Sequence, residues 1–171
     1  MPDKNYNPKI HHRKSIRLKN YDYASDGAYF VTICAQNKEY MFGNVVDEKM
    51  ILNPAEEMIK KWLFELKNKF KNIELDEYII MPNHIHLIIF IMNSAHGVPQ
   101  IIQWFKTMTT NEYIRNVKQS NWKPFDKKLW QRNYYDRIIR NEKELDKIRK
   151  YVFENPLKWK LDKNNPENLF M

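Results

Sequence analysis

Two histidines one residue apart, His84 and His86 in "MPNHIHLIIF", open an apolar run that reads as a buried strand. Alternate residues of a strand share a face, so both imidazoles point the same way and can ligate one divalent metal. The competing reading is two half-buried histidines at a sheet edge. A metal needs a further ligand, yet Cys34 is the sole cysteine, and no H-x-x-x-H or His/Cys pair at zinc spacing occurs. The sequence does offer Tyr151 and Asn155 in "KYVFENP". On a helix these lie on one face, a turn apart, and would present a nucleophile and an oxygen ligand together. Against this, Tyr151 could simply pack on the sheet, with Asn155 capping the helix before Pro156.

Among the other tyrosines, only Tyr21 (Ser25) and Tyr40 (Asn44) have a side-chain oxygen four residues on. "YDYASDG" reads as a loop, and Gly43 disfavours a helix at Tyr40. Tyr151 is therefore the sole helical candidate.

These residues must be positioned by a fold, and its elements can be read in order. "AYFVTICAQ" (28–36) is β-branched and aromatic, hence a strand. Gly43 and Asn44 punctuate a loop. Met58, Ile59, Trp62, Leu63, Leu66 and Phe70 recur at helical spacing over 54–71, with Asn53 as cap and Pro54 at the first position. "IELDEYIIM" and "HIHLIIFIM" form a hairpin or kinked strand pair around Pro82 and Asn83. A second helix spans 99–118, and "LWQRNYYDRIIR" (129–140) reads as a last strand. Asn141 caps a final helix that Pro156 ends. On that helix Leu145, Ile148 and Val152 form the packed stripe, leaving Tyr151 at its margin. The first six elements, β-α-β-β-α-β, give an α+β fold: a ferredoxin-like split-βαβ antiparallel sheet, two helices on one face, plus the C-terminal helix.

Composition bounds the function. With 171 residues, 43% of them apolar, the chain can bury one core, expected as a basic arm over 1–25 and a single domain over 26–171. The longest apolar run is far too short to span a bilayer, the N-terminus has no signal-like apolar stretch, and one cysteine suits a reducing compartment; a cytoplasmic location is expected. Three glycines leave no phosphate-binding loop. The +8 net charge is uneven: about +5 over residues 1–20, −4 over 21–100 and +7 over 101–171. A polyanion contacted by the arm and the C-terminal half fits that asymmetry.

"PNHIHLIIF", "RKSIRLKNYDYASDGAYFVTI" and "WQRNYYDRIIRNEKELDKIRKYVFENPLKW" together resemble the REP-associated tyrosine transposases, single-tyrosine HUH enzymes of the IS200-like transposase superfamily. The resemblance covers nearly the whole chain. It implies that His84 and His86 are metal ligands, that Tyr151 is the catalytic tyrosine, and that Asn155 is a further ligand; Tyr134 and Tyr135 precede that helix and are set aside as nucleophiles. The cofactor implied is Mg²⁺ or Mn²⁺. The activity implied is single-stranded DNA cleavage and strand transfer at hairpin or repeat elements, through a 5′-phosphotyrosine that preserves bond energy without ATP.

A DNA strand also needs a grip. Arg13, Lys14, Arg17 and Lys19 of the arm are candidate phosphate contacts. Trp122, Trp130 and Tyr134, interleaved with Lys123, Lys127, Lys128 and Arg132, are candidates for base stacking, although packing in the core suits those aromatics equally. Lys147, a turn before Tyr151, could stabilise its oxyanion or be a solvated helix face, and the latter is favoured. A catalytically idle, domesticated hairpin-binding protein is the main alternative, followed by a replication initiator or relaxase and a generic metal hydrolase. Whether Tyr151 serves its own histidine pair or that of a homodimer partner stays open.

Overall fold

A computed structural model describes residues 25–47 and 49–165 of the chain. All of the expected arm but Ser25, with Arg13, Lys14, Arg17 and Lys19, lies outside the described residues. Strands and helices follow in the order β1 (Gly27–Cys34), β2 (Gly43–Val46), β3 (Lys49–Leu52), α1 (Ala55–Lys69), β4 (Ile73–Met81), β5 (His84–Ile91), α2 (Val98–Ser120), β6 (Tyr135–Ile139) and α3 (Glu142–Glu154). Short 3-10 helices occupy Gln36–Lys38 and Pro156–Leu161.

The main sheet has the order β4-β5-β1-β6, with antiparallel neighbours throughout, which is the split-βαβ arrangement expected. Side-chain alternation along β1 and β5 divides two cores. Tyr29, Val31 and Ile33 of β1 and Ile85, Leu87 and Ile89 of β5 pack with Ile59, Leu63, Ile101 and Phe105 of α1 and α2. Each such side chain contributes about 1.5–3 kcal/mol on burial. On the opposite face Ala28, Ile88 and Ile139 meet Leu145, Ile148 and Val152 of α3. The stripe expected on α3 is therefore real, and the even-numbered histidines fall on the α3 face.

Local chemistry fixes the ends of the helices. Asn53 Oδ1 accepts from Ala55 N–H at 2.9 Å, opening α1. Asn141 Oδ1 accepts from Glu144 N–H at 2.9 Å, and Glu144 accepts from Arg140 N–H at 3.0 Å, so the start of α3 is capped from both sides. Arg149 then grips Asp76 of β4 with two bonds of 2.8 and 3.0 Å, fixing the angle at which α3 crosses the sheet.

Two expectations about the elements change. Gly43 and Asn44 begin a strand rather than a loop, since β2 and β3 pair antiparallel as a separate two-stranded sheet. A Cβ on Gly43 would stand 2.3 Å from the Ile51 carbonyl oxygen, so only glycine permits that close pairing. The last strand is Tyr135–Ile139, shorter than 129–140. Before it, Trp130 turns into the core, and Lys106 Nζ donates to the carbonyls of Gln131 and Asn133 at 2.9 Å each, taking groups a ladder would use. Pro156 ends α3 as expected, the α-helix closing at Glu154. Asn155 stays helical (φ −58°, ψ −42°), and the chain winds on as the 3-10 helix, because proline is tolerated in a first turn.

Candidate metal and nucleophile site

The β4–β5 hairpin delivers His84 and His86 fully buried on the α3 face. Their Nε2 atoms face one another at 3.0 Å. Each ring is held from behind. Asn83 donates its amide to the carbonyls of Lys38 (2.9 Å) and Asn164 (2.8 Å), which turns its Oδ1 toward His84 Nδ1 at 2.8 Å. That oxygen can only accept, so His84 carries its proton on Nδ1 and presents a lone pair at Nε2. Thr32 Oγ1 lies 2.8 Å from His86 Nδ1. A hydroxyl can accept or donate, so His86 can place its own Nε2 lone pair beside that of His84 whenever Thr32 accepts.

Burial drives both histidines toward the neutral form. It pushes His84 down to about 3, helped by the charges of Lys38 and Lys163. His86 is lowered well below 6.5 by burial first and by His84 second.

Tyr151, half-buried on α3, sets its hydroxyl 3.4 Å from His86 Nε2. Phe30 stacks on His86 (5.3 Å between centroids) and meets Tyr151 edge-on (5.9 Å), walling the phenol against the pair. Burial raises the Tyr151 pKa, the charge of Asp162 adds to that, and the neighbouring Asn155 amide opposes it. Asn155 is itself buried, and its Oδ1 has no hydrogen-bond partner among the described residues. It makes no capping hydrogen bond at the turn.

Asp162 was not anticipated. A carboxylate oxygen of Asp162 and one nitrogen each from His84 and His86 lie within 4.8 Å of one another, and all three residues are buried. The segment that carries Asp162 crosses the sheet end: Trp159 stacks on His84 (6.0 Å), and Lys38 Nζ donates to the Lys163 carbonyl at 2.8 Å. "KLDKNNPEN" has no periodicity or motif that marks the aspartate; only long-range packing brings it there. Thr32 was missed for the same reason, whereas Asn83 is next to His84 in sequence and only the bonds that orient it, to Lys38 and Asn164, are long-range.

Two neutral nitrogens and a buried carboxylate oxygen make a mixed nitrogen–oxygen donor set that could hold a metal ion, and the unpartnered Asn155 amide oxygen sits one turn beyond Tyr151. A pocket of about 470 Å³ opens on His86 and Tyr151, lined also by Phe30, Tyr135, Lys147 and Lys163, among others.

The expected DNA contacts divide. Trp130 is 4% exposed, its indole N–H bonds Thr109 Oγ1 at 2.9 Å, and it packs on Phe42 and Phe105. It belongs to the core rather than to a stacking surface, as does buried Tyr134. Trp122 is half-buried against Tyr113, 5.0 Å away. Lys127, Lys128 and Arg132 do reach the surface, lining a groove of about 740 Å³ with Gln103, Lys106 and Asn111. That groove lies on the α2 side of the sheet, across from Tyr151. Among the described residues, no helix is long and apolar enough to cross a membrane.

A split-βαβ sheet with a paired-histidine strand facing a helical tyrosine defines a class, and the family comparison agrees with it. The IS200-like transposase family model matches residues 24–155, and the chain belongs to that family. It is 39% identical over 173 residues to an uncharacterized protein of Haemophilus influenzae, spanning 92% of this chain and 95% of that one. A second H. influenzae protein, provisionally named a REP-associated tyrosine transposase, is 24% identical over 152 residues, 82% of this chain and 77% of its own. Among solved structures, a REP-associated tyrosine transposase bound to a REP hairpin superposes with a TM-score of 0.61 at 18% identity, covering 85% of this chain and 74% of that one.

Proposed function

We propose that this protein is a metal-dependent endonuclease and strand transferase acting on single-stranded DNA at hairpin or repeat elements. The observation that carries the reading is Tyr151 Oη standing 3.4 Å from His86 Nε2, itself 3.0 Å from His84 Nε2, with Tyr151 and His86 lining one open pocket.

His84, His86 and Asn155 would hold Mg²⁺ or Mn²⁺, with Asp162 as a further oxygen donor. Bound there, the cation would supply Lewis-acid polarisation of a phosphate oxygen. The protein's own groups do the rest. Tyr151 attacks phosphorus, a P–Oη bond forms, and the P–O3′ bond breaks. The phenol loses its proton to water in the open pocket, and the departing 3′ oxygen gains one. The product is a 5′-phosphotyrosine with a free 3′-OH, and reversal with a second 3′-OH rejoins a strand. A phenol is protonated at neutral pH and burial makes Tyr151 harder still to ionise, so cations must favour its oxyanion. Lys147 and Lys163 line the same pocket and carry the required sign.

The strand would run from this pocket around the outer edge of β6 to the groove of Lys127, Lys128 and Arg132. Tyr134 and Tyr135, adjacent in sequence, line the groove and the pocket respectively.

The test is an adduct assay with labelled single-stranded hairpin oligonucleotides and Mn²⁺ or Mg²⁺ on denaturing gels. Wild type should give a metal-dependent shifted band that Tyr151→Phe abolishes. Tight hairpin binding without an adduct would favour a non-cleaving binding protein. An adduct surviving Tyr151→Phe would mean that another residue is the nucleophile.

A further inference from the structure

Tyr135 is an aromatic residue that the cleavage chemistry leaves unused. The residue is 53% exposed and lines the pocket that holds Tyr151 and His86. Cross-strand register explains why. Thr32 pairs with His86 on one side and with Tyr135 on the other. Residues directly opposite in antiparallel strands share a face, so His86, Thr32 and Tyr135 form one row beneath α3. Two strand spacings separate the ends of that row, roughly 10 Å, a distance that one nucleotide covers from its phosphate to its base. Other large exposed aromatics lie elsewhere: Phe64 sits over Tyr78 on α1's side, and Phe153 points outward from α3 at 81% exposure.

The charge beside the ring has the right sign. Lys163 Nζ stands 5.5 Å from the Tyr135 ring centroid. Its backbone is pinned by Lys38, while its side chain is exposed at the pocket mouth. Arg137, in the next row, is engaged by Glu144 at 2.5 Å, whereas Lys147 and Lys163 open onto the pocket.

We propose that Tyr135 is a stacking platform for the base of the nucleotide next to the reacting phosphate, with the Lys163 ammonium pairing with the phosphate backbone there. The inference rests on the single-strand reading of the same pocket and adds the residue that receives a base. Stacking on a tyrosine face is tolerant of base identity, so the platform anchors the strand in line with Tyr151 without selecting a sequence.

The test is equilibrium binding of the full chain in EDTA, where no cleavage occurs, followed by fluorescence anisotropy. The probes are fluorescein-labelled dT10 and a ten-residue abasic strand with the same backbone charge. Wild type should bind dT10 about 10-fold or more tighter than the abasic strand, in line with base–aromatic stacking. Tyr135→Ala should erase that preference while leaving abasic affinity unchanged, and Tyr135→Phe should restore it. Lys163→Gln should weaken both strands alike and reduce the salt slope by about 0.7. The platform is overturned if Tyr135→Ala keeps the dT10 preference, or if it weakens both strands equally. A base preference that persists in a protein forming no covalent adduct would sink the cleavage reading and leave the platform standing. Wild type binding neither strand would overturn the platform, whereas the cleavage reading falls only with the hairpin adduct assay.

Discussion

Asn83 and His84, neighbours in sequence, are locked into a single hydrogen-bonding sense: Asn83 Oδ1 accepts from His84 Nδ1–H at 2.8 Å while the Asn83 amide is spent on the carbonyls of Lys38 and Asn164. The amide cannot flip without breaking two bonds, so the lone pair on His84 Nε2 always faces the cluster. Groups of this kind behind metal-binding histidines set ligand orientation and basicity.

Asn83→Ala should accordingly lower Mn²⁺ affinity about 10- to 100-fold, measured by calorimetry on folded protein. Thr32→Val should weaken it too, because a valine cannot accept from His86 Nδ1. Unchanged affinity in both variants would mean that the histidines need no positioning from behind, or bind no metal.

Acid should destabilise the metal-free protein in a definite window. An unfolded histidine titrates near 6.5, whereas burial holds His84 down at about 3 in the folded state. Below 6.5 the unfolded chain therefore binds the extra proton and the native state does not. The stabilising contribution is complete above 6.5 and falls by up to about 1.4 kcal/mol per pH unit between 6.5 and 3. Urea midpoints at pH 7, 5.5 and 4.5 should show this slope, and His84→Gln should flatten it. An equal slope in the variant would assign the acid lability to other groups.

Tyr151→Phe should fold normally. The ring packs on Phe30 and His86, and the deleted hydroxyl makes a long contact of 3.4 Å to His86 and a hydrogen bond with the Asn155 amide, so the stability change should stay within about 0.5–1.5 kcal/mol. Thermal melts that differ by more would reveal a structural role for the hydroxyl and complicate any reading of lost adduct.

Arg149→Ala should separate stability from chemistry. Its pair with Asp76 is partly exposed, and such pairs contribute about 0–1 kcal/mol. The same pair sets where α3 sits on β4, and Tyr151 rides on α3, so adduct formation should slow by roughly 10- to 100-fold from misplacement. Equal rates in wild type and variant would show that the packed stripe of Leu145, Ile148 and Val152 suffices to aim the helix.

Much of this protein was readable from local pattern. The alternation in "HIHLIIF" put His84 and His86 on one face, and helical spacing placed Leu145, Ile148 and Val152 under α3 with Tyr151 at the margin. The order of elements implied the split-βαβ sheet, because each element's period depends on its own residues. The tertiary structure decided what rests on contacts distant in sequence. It chose which strand neighbours the histidines, and so made Thr32 and Tyr135 part of the site. It drew Trp130 inward and brought Asp162 back across the sheet end. Periodicity tells a side chain which way to face but not what it will meet, since strand register and the return of the chain are fixed only when the whole sheet closes.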